Sequence, residues 1–239
     1  MVDLGEVFSV LREHKLHLNA SKCSFRVSSR KFVGYMIMHQ GIEVNPDQIK
    51  AINNLHLPRN PKEVQKLTGM AAALNRFISR SADRCHPFFQ LLHEWREFRW
   101  IEECVVAFEE LKKYLSSPPI LSGPEKEEVL YAYLVITNYV VSLVLVRNKD
   151  GVQRLVYYVS KSLQKAETRY LPLEKVVLAI VHATRKLPHN FQPYTVVVLT
   201  QLPLLALLRK SDYTSRIAKW GTMLGAYDVK YMPRTAIKG

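Results

Sequence analysis

An uncharged stretch of eighteen residues, 129–146, gives the clearest pattern in the chain. Its length is near the lower limit for a helix that crosses a membrane, which is one interpretation. Eight of its residues are β-branched and three are tyrosine, and this composition favours strands over a helix. Thr137 and Asn138 divide it into two strand-length pieces, and an Asp-Gly turn at 150–151 leads into a strand-like run at 152–160. The pattern therefore predicts a meander of three antiparallel strands.

The remainder of the C-terminal half changes between helical and strand-like periodicity. Residues 167–186 predict a long, deeply packed helix, and 194–200 predict a fourth strand. Two helices at 204–208 and 214–224 and a fifth strand at 228–232 follow. The order βββ-α-β-α-α-β predicts a mixed α/β or α+β fold, with a five-stranded mixed sheet and helices packed on it. Neither G-x-G-x-x-G nor a P-loop motif is present, which argues against a doubly wound nucleotide-binding fold.

The N-terminal half is predicted to be mainly helical. The predicted helices are 4–18, 46–55 and 102–115, and the predicted strands are 24–27 and 31–38. The strongest helix signal begins at Asn60, an N-cap residue that is followed by Pro61 and by Glu63. Its apolar stripe consists of Val64, Leu67, Ala71, Leu74 and Ile78. Serine, proline and glycine in 116–124 predict a connector.

The net charge of +13 lies mostly in the C-terminal half of the 239-residue chain. Residues 129–239 contain 16 Lys and Arg but only five Asp and Glu. A partner with a phosphate backbone is the favoured interpretation, and general solubility is the alternative. Three widely spaced cysteines give neither a disulfide framework nor a Cys-based zinc site. No signal peptide or lipidation motif is recognisable, so an intracellular location and no membrane partner are expected.

Basic residues also accompany the predicted helix that begins at Asn60. Lys66, Arg76 and Arg80 must lie largely outside its apolar stripe. They form either an ordinary solvated face or a surface that faces nucleic acid, and the pattern leaves both interpretations open.

Several motifs, in order along the chain, resemble the C-terminal part of the polymerase polyprotein of gypsy-type LTR retrotransposons, especially plant ones. They are LHLNASKCSF, KFVGYMI, GIEVNPDQIKAI, PRNPKEVQKLTG, RFISRSADRCHPFFQLL, FRWIEECVVAFEELKKYLSSPPIL, VYYVSKSL, EKVVLAIV and SRIAKW. The resemblance implies the end of a reverse-transcriptase palm in 1–55, a thumb-like helical segment in 56–97 and an RNase H-like domain in 98–239. Lys31 and Tyr35 would then lie in the primer-grip region and contact nucleic acid.

The carboxylates on which this family's reactions depend are mostly missing. Its polymerases hold two Mg²⁺ ions with an Asp pair in a Tyr-x-Asp-Asp turn, and this chain contains no Asp-Asp. By the same resemblance, its RNase H domains place metal-binding carboxylates at the positions of Val135, Glu174 and Gln201, and at one position beyond Gly239. Only Glu174 is a carboxylate here. A Glu in the first turn of a helix also interacts favourably with the helix dipole, so we expect a structural role for Glu174 and no metal cofactor.

The leading hypothesis is a catalytically inactive tether within a retroelement polyprotein. It would grip an RNA/DNA hybrid through Arg216, Lys219 and the basic thumb residues, and its other partner would be the remainder of the polyprotein. One alternative is a metal-dependent RNase H that recruits Asp228 or Asp150 as a ligand. Another is a domesticated adaptor that contacts other proteins through the aromatic residues of 88–100.

Overall fold

The computed structural model describes residues 4–19, 29–32, 34–38, 40–93, 98–202, 204, 208 and 215–234. Its N-terminal part begins with helix α1 (Leu4–Glu13) and an antiparallel sheet of β1 (Ser29–Phe32), β2 (Tyr35–Met38) and β3 (Gly41–Val44). Helices α2 to α6 follow, at Pro46–Asn53, Pro61–Ala73, Ser81–Arg84, His86–His93 and Glu102–Leu115. A 3-10 turn at Asn75–Phe77 lies between α3 and α4.

The C-terminal part is built on a five-stranded mixed sheet. Its strands are β4 (Leu130–Ile136), β5 (Val140–Lys149), β6 (Val152–Ser162), β7 (Val196–Leu199) and β8 (Val229–Met232), in the spatial order β6-β5-β4-β7-β8. β5 is antiparallel to β4 and to β6, whereas β7 is parallel to β4 and to β8. Helices α7 (Pro172–Lys186), α8 (Pro188–Phe191) and α9 (Ser215–Leu224) complete this part. The predicted mixed α/β fold with a five-stranded mixed sheet is confirmed.

The uncharged stretch forms β4 and most of β5, as predicted. Between the two strands, the backbone N–H of Thr137 donates to the carbonyl of Val140 and closes a tight turn (2.9 Å). The next turn has positive φ at Asp150 (54°) and at Gly151 (79°), as a two-residue hairpin turn of type I′ requires. None of the described helices has the length and apolarity needed to cross a membrane.

The prediction of a single strand across 31–38 is wrong, because the chain reverses in its middle. Gly34 has a φ of +83°, a left-handed conformation that favours glycine, and β1 and β2 pair on either side of it. β3 then adds a third strand that the apolar pattern did not indicate. The strand predicted at 24–27 lies outside the described residues.

The helix predicted across 167–186 begins later, at Pro172. Leu171 precedes this proline and has an extended conformation with a ψ of 152°, which the proline ring favours sterically and which interrupts a helix. A separate 3-10 turn occupies Glu167–Arg169. The first predicted turn of the long helix is therefore an independent local structure.

Helix α3 begins at Pro61 as predicted, with the side chain of Asn60 accepting a hydrogen bond from the N–H of Glu63 (3.0 Å). It ends at Ala73, yet Leu74 and Ile78 are buried, so the whole predicted apolar stripe reaches the core. Of the short helix predicted at 204–208, only its two end residues are described, and both are helical.

Two hydrophobic clusters form the core of the described chain. The first lies between the five-stranded sheet and α7, and Leu130, Ile180 and Phe191 are among its fully buried members. The second is formed mainly by α3, α5 and α6, around Phe88 and Phe108. Helix α6 thus packs with the N-terminal helices, although it follows the predicted boundary between 97 and 98. The division of the chain at that boundary stays a prediction.

Strand β6 contributes much of the contact between the two parts of the molecule. The N–H of Ala82, in α4, donates to Oγ of Ser160 (3.1 Å), which lies 2.8 Å from Oγ of Ser142. The guanidinium of Arg76, in the 3-10 turn, lies over the ring of Tyr157 at 5.3 Å from the ring centroid. Short polar contacts and one cation-π contact therefore connect the N-terminal helices to the sheet.

A buried arginine anchors the predicted connector to β5. Nη2 of Arg147 donates to carboxylate oxygens of Glu125 (2.7 Å) and Glu128 (2.6 Å), and Nη1 donates to the carbonyl of Gly123 (2.6 Å). Hydrogen bonds from Arg147 and then from Lys149 lower the pKa of Glu125 to about 2. The residues that lead into β4 are consequently held by ion pairs.

The close approach of two backbone segments makes Gly41 sensitive to substitution. Gly41 has a φ of +144°, and an added Cβ would lie 2.0 Å from the carbonyl oxygen of Leu121. We expect Gly41→Ala to lower the free energy of unfolding by at least about 2 kcal/mol. Gly69 lies within α3 with nothing within 4 Å of an added Cβ, so Gly69→Ala should raise it by about 0.5–1 kcal/mol. Urea unfolding of both variants measures the difference, and equal stabilities would contradict the described packing.

Candidate nucleic-acid interface

One edge of the five-stranded sheet collects the carboxyl ends of four strands. Because β5 is antiparallel to both neighbours, β6 and β4 run in the same direction, and β7 and β8 are parallel to β4. The chain leaves β6 at this edge, and α7 begins there before it crosses the sheet to β7. We call it the carboxyl edge of the sheet, and it carries Glu174 and Gln201.

The carboxylate of Glu174 is buried and has a partner for each oxygen. Oε2 accepts a hydrogen bond from the backbone N–H of Leu171 (3.0 Å), which the first turn of α7 would otherwise leave unpaired. Oε1 lies 3.3 Å from Nη1 of Arg216, in α9. The guanidinium of Arg216 also lies over the ring of Tyr170, 4.2 Å from the centroid. Glu174 therefore caps one helix and holds a second one against it.

Val135 and Gln201, the other two positions at which the family resemblance implies a metal-binding carboxylate, offer no anionic ligand. Val135 is 41% exposed, and it lies on the face of β4 opposite to Leu134 and Ile136, which pack against the cluster beneath α7. Both faces of the strand thus present hydrocarbon at this edge. Gln201 is exposed just after β7 and contributes a neutral amide. The structure does not bring Val135 and Glu174 together, since the sheet lies between the face of Val135 and α7.

The residues present do not fit a two-metal site. Two divalent ions need several hard, anionic oxygen ligands, whereas Val135, Glu174 and Gln201 together supply one carboxylate, which already has a hydrogen-bond donor on each oxygen. Within the described residues, no group of three or more His, Cys, Asp or Glu side chains could hold a metal ion. The chemistry of the donor set therefore disagrees with magnesium binding at these positions.

Asp150 and Asp228, the alternative ligands, lie at the opposite edge of the sheet. Asp150 forms the turn between β5 and β6, and Asp228 precedes β8, where its carboxylate accepts a hydrogen bond from the hydroxyl of Thr195. Asp150 is separated from the carboxyl edge by the length of β6, and Asp228 is separated from it by the length of β8. The fold therefore does not bring either residue near Glu174.

Cations outnumber available acids at the carboxyl edge. Besides Glu174, the acid at this edge among the described residues is Glu167. Partial burial acts to raise its pKa, but hydrogen bonds from Lys161 and from the N–H of Gln164 outweigh burial and lower it. Both acids are thus ion-paired with cations. The other basic residues at this edge, within the part of the chain that the structure describes, are Lys165, Arg169, Lys175, Lys219 and Arg234. Their excess gives the edge a positive potential, which suits a phosphate backbone.

Among the residues predicted to contact nucleic acid, Tyr35 and Arg76 are the pair that the structure brings into direct contact. The guanidinium of Arg76 lies 4.6 Å from the ring centroid of Tyr35 and 5.3 Å from that of Tyr157. Tyr35 also packs against Phe77 (5.7 Å between centroids). The contacts of Tyr35 and Arg76 connect β2, the 3-10 turn and β6, so both side chains have a structural role. Tyr157 was missed because only the packing of the 3-10 turn against β6 brings it near Arg76.

The other predicted basic residues differ in how available they are. Lys31 is paired with Asp47, but both side chains remain more than half exposed. Lys66 is exposed on α3 and takes part in no ion pair among the described residues. Arg80 is paired with Asp83 in a cavity of about 590 Å³ that Glu102, Glu103 and Glu110 also line. Acidic neighbours repel phosphate, so the surroundings of Arg80 are the least favourable of this set.

Arg216 and Lys219, the two residues of α9 that were predicted to contact nucleic acid, also differ in how available their side chains are. Arg216 is committed to Glu174 and Tyr170, although its side chain stays 44% exposed. Lys219 is exposed three residues further along the helix. Arg234 follows β8 at the same edge, and the sequence pattern gave no sign of it except the general excess of cations. The parallel pairing of β8 with β7 is what places Arg234 at this edge.

The aromatic residues of 88–100 are largely used inside the core. Phe88 is fully buried and stacks on Trp100 (5.8 Å), whose ring meets that of Phe108 edge-on (6.2 Å). Phe89 and Phe98 are half-buried against the same cluster. Trp95 lies outside the described residues. The described aromatics therefore do not form the exposed contact surface that the adaptor hypothesis requires.

Sequence comparison places this chain beside retrotransposon polyproteins. Residues 100–198 match the family model described as the RNase H-like domain found in reverse transcriptase. The chain is 27% identical to the retrovirus-related Pol polyprotein from transposon 297 of Drosophila melanogaster over 94% of its own length, and 25% identical to the transposon Tf2-3 polyprotein of Schizosaccharomyces pombe over 97%. It spans only 21% and 18% of those relatives. The chain is thus similar to the reverse-transcriptase and RNase H-like region of such polyproteins.

Solved structures of the same fold come from foamy virus. The chain superposes on the foamy viral protease-reverse transcriptase in complex with double-stranded DNA with a TM-score of 0.77, at 18% identity, over 99% of this chain and 51% of that one. The complex of that protein with an RNA/DNA hybrid gives a TM-score of 0.78, at 17% identity, over 99% of this chain and 34% of that one. These likenesses agree with an RNase H-like fold for the C-terminal part.

The contacts of Glu174 predict that it stabilises the fold. Glu174→Ala removes a helix cap and leaves Arg216 without its carboxylate, so the free energy of unfolding should fall by about 1–2 kcal/mol. Glu109→Ala, an exposed change in α6, should alter it by less than about 0.5 kcal/mol. Chemical unfolding followed by circular dichroism checks both values. An unchanged or increased stability of Glu174→Ala would show that the observed contacts do not stabilise α7.

The half-buried imidazole of His182, in α7, predicts a loss of stability in acid. Burial, and then the positive charges of Lys161 and Lys186, lower its pKa from about 6.5 to about 4. The folded state therefore resists protonation that the unfolded state accepts, so stability is complete above about pH 6.5 and declines as the pH falls towards 4. Allowing for solvent screening, we expect a loss of about 1–2 kcal/mol.

Thermal unfolding between pH 7 and pH 4 tests this dependence. His182→Gln should lose less stability over that range than the unsubstituted chain, whereas His189→Gln, an exposed change in α8, should follow the unsubstituted chain. Identical pH profiles for all three proteins would contradict the assignment to His182.

Proposed function

We propose that this chain holds an RNA/DNA hybrid, or a related duplex, without hydrolysing it. The observation that carries the proposal is the state of Glu174: its two oxygens are occupied by Leu171 and Arg216, and Val135 and Gln201 supply no further anion. A site that needs metal ions to cleave phosphodiester bonds lacks its ligands. The positive carboxyl edge retains what is needed to attract the phosphate backbone.

Two surfaces would contact the duplex in this proposal. One is the carboxyl edge, where Lys219 is exposed and Arg216 is partly exposed. The other is the face around β1, β2 and α3, with Lys31, Tyr35 and Lys66. Arg76 supports this second surface by holding Tyr35 in place. The fold likeness to foamy viral enzymes seen with double-stranded DNA and with an RNA/DNA hybrid is compatible with this arrangement.

The place of the chain in a larger protein is part of the same proposal. The motifs in its sequence resemble those of gypsy-type LTR elements, especially plant ones, and we propose that it derives from such an element. Residues 1–55, 56–97 and 98–239 would be the palm end, the thumb-like segment and the RNase H-like domain. The remainder of the polyprotein would then be its natural partner, with this region acting as a tether. No magnesium is required for that role.

A salt titration of hybrid binding tests the grip. We expect the affinity for a labelled RNA/DNA hybrid in a filter-binding assay to fall at least about tenfold between 50 and 200 mM salt. Lys219→Gln should weaken binding and reduce the slope of log K against log salt by about 0.9. Lys126→Gln, an exposed change before β4 at the opposite edge, should leave both the affinity and the salt slope unchanged. Absence of affinity at low salt would rule out the proposed grip.

A cleavage assay separates the tether from a nuclease. A hybrid labelled on its RNA strand should remain intact with the unsubstituted chain in magnesium or manganese, because the ligand set is incomplete. Metal-dependent cleavage that Glu174→Ala abolishes would instead establish a ribonuclease and overturn the inactive part of the proposal. Cleavage that survives this substitution would point to a contaminating nuclease, which further purification removes.

A further inference from the structure

A cavity of about 200 Å³ lies where the N-terminal helices pack against the sheet, and we call it the junction cavity. Helix α3 and the 3-10 turn form one wall, α4 and the first turn of α5 form another, and the end of β6 forms the third. None of the residues predicted from the sequence to contact nucleic acid lines it. A molecule in this cavity would contact both parts of the chain.

Small side chains leave this space open. Ala71, Ala72 and Ala82 line it from the helices, and Ser160 and Ser162 line it from β6. Ala71 and Ala82 are buried, whereas Ala72 and Ser162 are exposed, so the cavity extends from the surface to a buried floor. Protein interiors are normally close-packed, and the atoms around a void lose contacts that a ligand can restore. The volume suits a compact ligand, since apolar cavities of about 150 Å³ accept benzene.

The polar groups at the junction cavity are neutral, and several of them have no partner. The side chains of Asn75, Ser81 and Ser162 make no hydrogen bond with any other described residue. No charged side chain of the described residues lines the cavity. The thiol of Cys85 also stays uncharged, because burial raises its pKa to about 12. A charged ligand would therefore lose its hydration without finding a counter-charge, whereas a neutral ligand with a hydroxyl or amide group would find donors and acceptors.

We propose that the junction cavity binds a small, uncharged organic molecule that carries a hydroxyl or amide group on a compact ring. The ring lies on the buried floor formed by Ala71, Ala82 and Cys85, and the polar group bonds at the mouth with Asn75 or Ser162. Because the ligand contacts the helices and β6 together, it stabilises their packing. The proposal is independent of hybrid binding and adds a second kind of ligand to the chain.

Three probes of nearly equal shape test the charge selectivity: benzamide, which is neutral, benzoate, which is an anion, and benzamidine, which is a cation. They are titrated into the full, isotope-labelled chain at about 150 mM salt, and NMR follows the backbone amide signals. Benzamide should bind with a Kd of about 1 mM and shift the amide signals of Ala72, Ala82 and Ser160. Benzoate and benzamidine should bind at least about tenfold more weakly, because the cavity supplies no counter-charge.

Two alanine substitutions in α3 form a matched pair. Ala72→Leu places a larger side chain at the mouth, where it takes up space that the ligand needs, and should weaken benzamide binding at least about tenfold. Ala73→Leu makes the same exchange at the next position, which is exposed and does not line the cavity, and should leave the binding unchanged. Asn75→Ala removes a polar partner and should weaken the binding about three- to tenfold. Melting curves verify that each variant is folded.

The proposal fails if benzamide shifts no amide signal at the junction cavity at ten times the expected Kd. It also fails if the charged probes bind as tightly as benzamide, if the shifted signals lie elsewhere, or if both leucine substitutions weaken binding equally. Benzamide binding that Ala72→Leu and Asn75→Ala weaken, and that Ala73→Leu does not, supports the site whatever affinity the chain has for a hybrid.

Discussion

A carboxylate that folding withdraws from water must be matched by hydrogen-bond donors and by opposite charge, and the carboxyl edge of this sheet is arranged around that requirement at Glu174. The backbone of Leu171 supplies one donor and the guanidinium of Arg216 supplies the other together with the charge. The first contact fixes where α7 begins, and the second brings α9 back onto it. Because α7 connects β6 to β7, the contacts of this one buried carboxylate help to set how the helices pack on the C-terminal sheet.

Matching Glu174 from within the chain changes the electrostatics of the edge. A two-metal site concentrates anionic ligands so that divalent cations are held. Here the acids Glu174 and Glu167 are each neutralised by a side-chain cation, and the exposed charges that remain on the described part of this edge are positive. An edge of this kind repels metal ions and attracts phosphates directly. The pairing of both acids therefore disfavours metal binding at this edge and, at the same time, leaves a surface that suits phosphate.

The net charge of +13 includes several cations that the fold has already used. Arg147 is buried with two glutamates, Arg216 holds Glu174, and Arg76 lies between two tyrosine rings. Planar guanidinium groups suit these internal tasks because they form several directed hydrogen bonds and stack on rings. The exposed lysines are less committed. Composition alone consequently overstates how many of the arginines are free to meet a partner.

The sequence by itself determined the elements whose signals are local. The uncharged stretch became β4 and β5, the Asn60 cap began α3, and the apolar stripe of that helix was buried as its spacing required. The absence of an Asp pair and the neutral residues at positions 135 and 201 were also readable directly. Local rules failed at two single residues. Gly34 reverses the chain and divides one predicted strand into two, and Pro172 makes the long helix begin later than its apolar pattern does. Only the tertiary structure decided which side chains share the carboxyl edge, because the parallel pairing of β4, β7 and β8 joins segments far apart in sequence. That pairing put Arg234 beside Gln201, placed Asp150 and Asp228 at the other edge, and gave Glu174 its partner in α9, since contacts between distant segments depend on strand order and direction that no local pattern encodes.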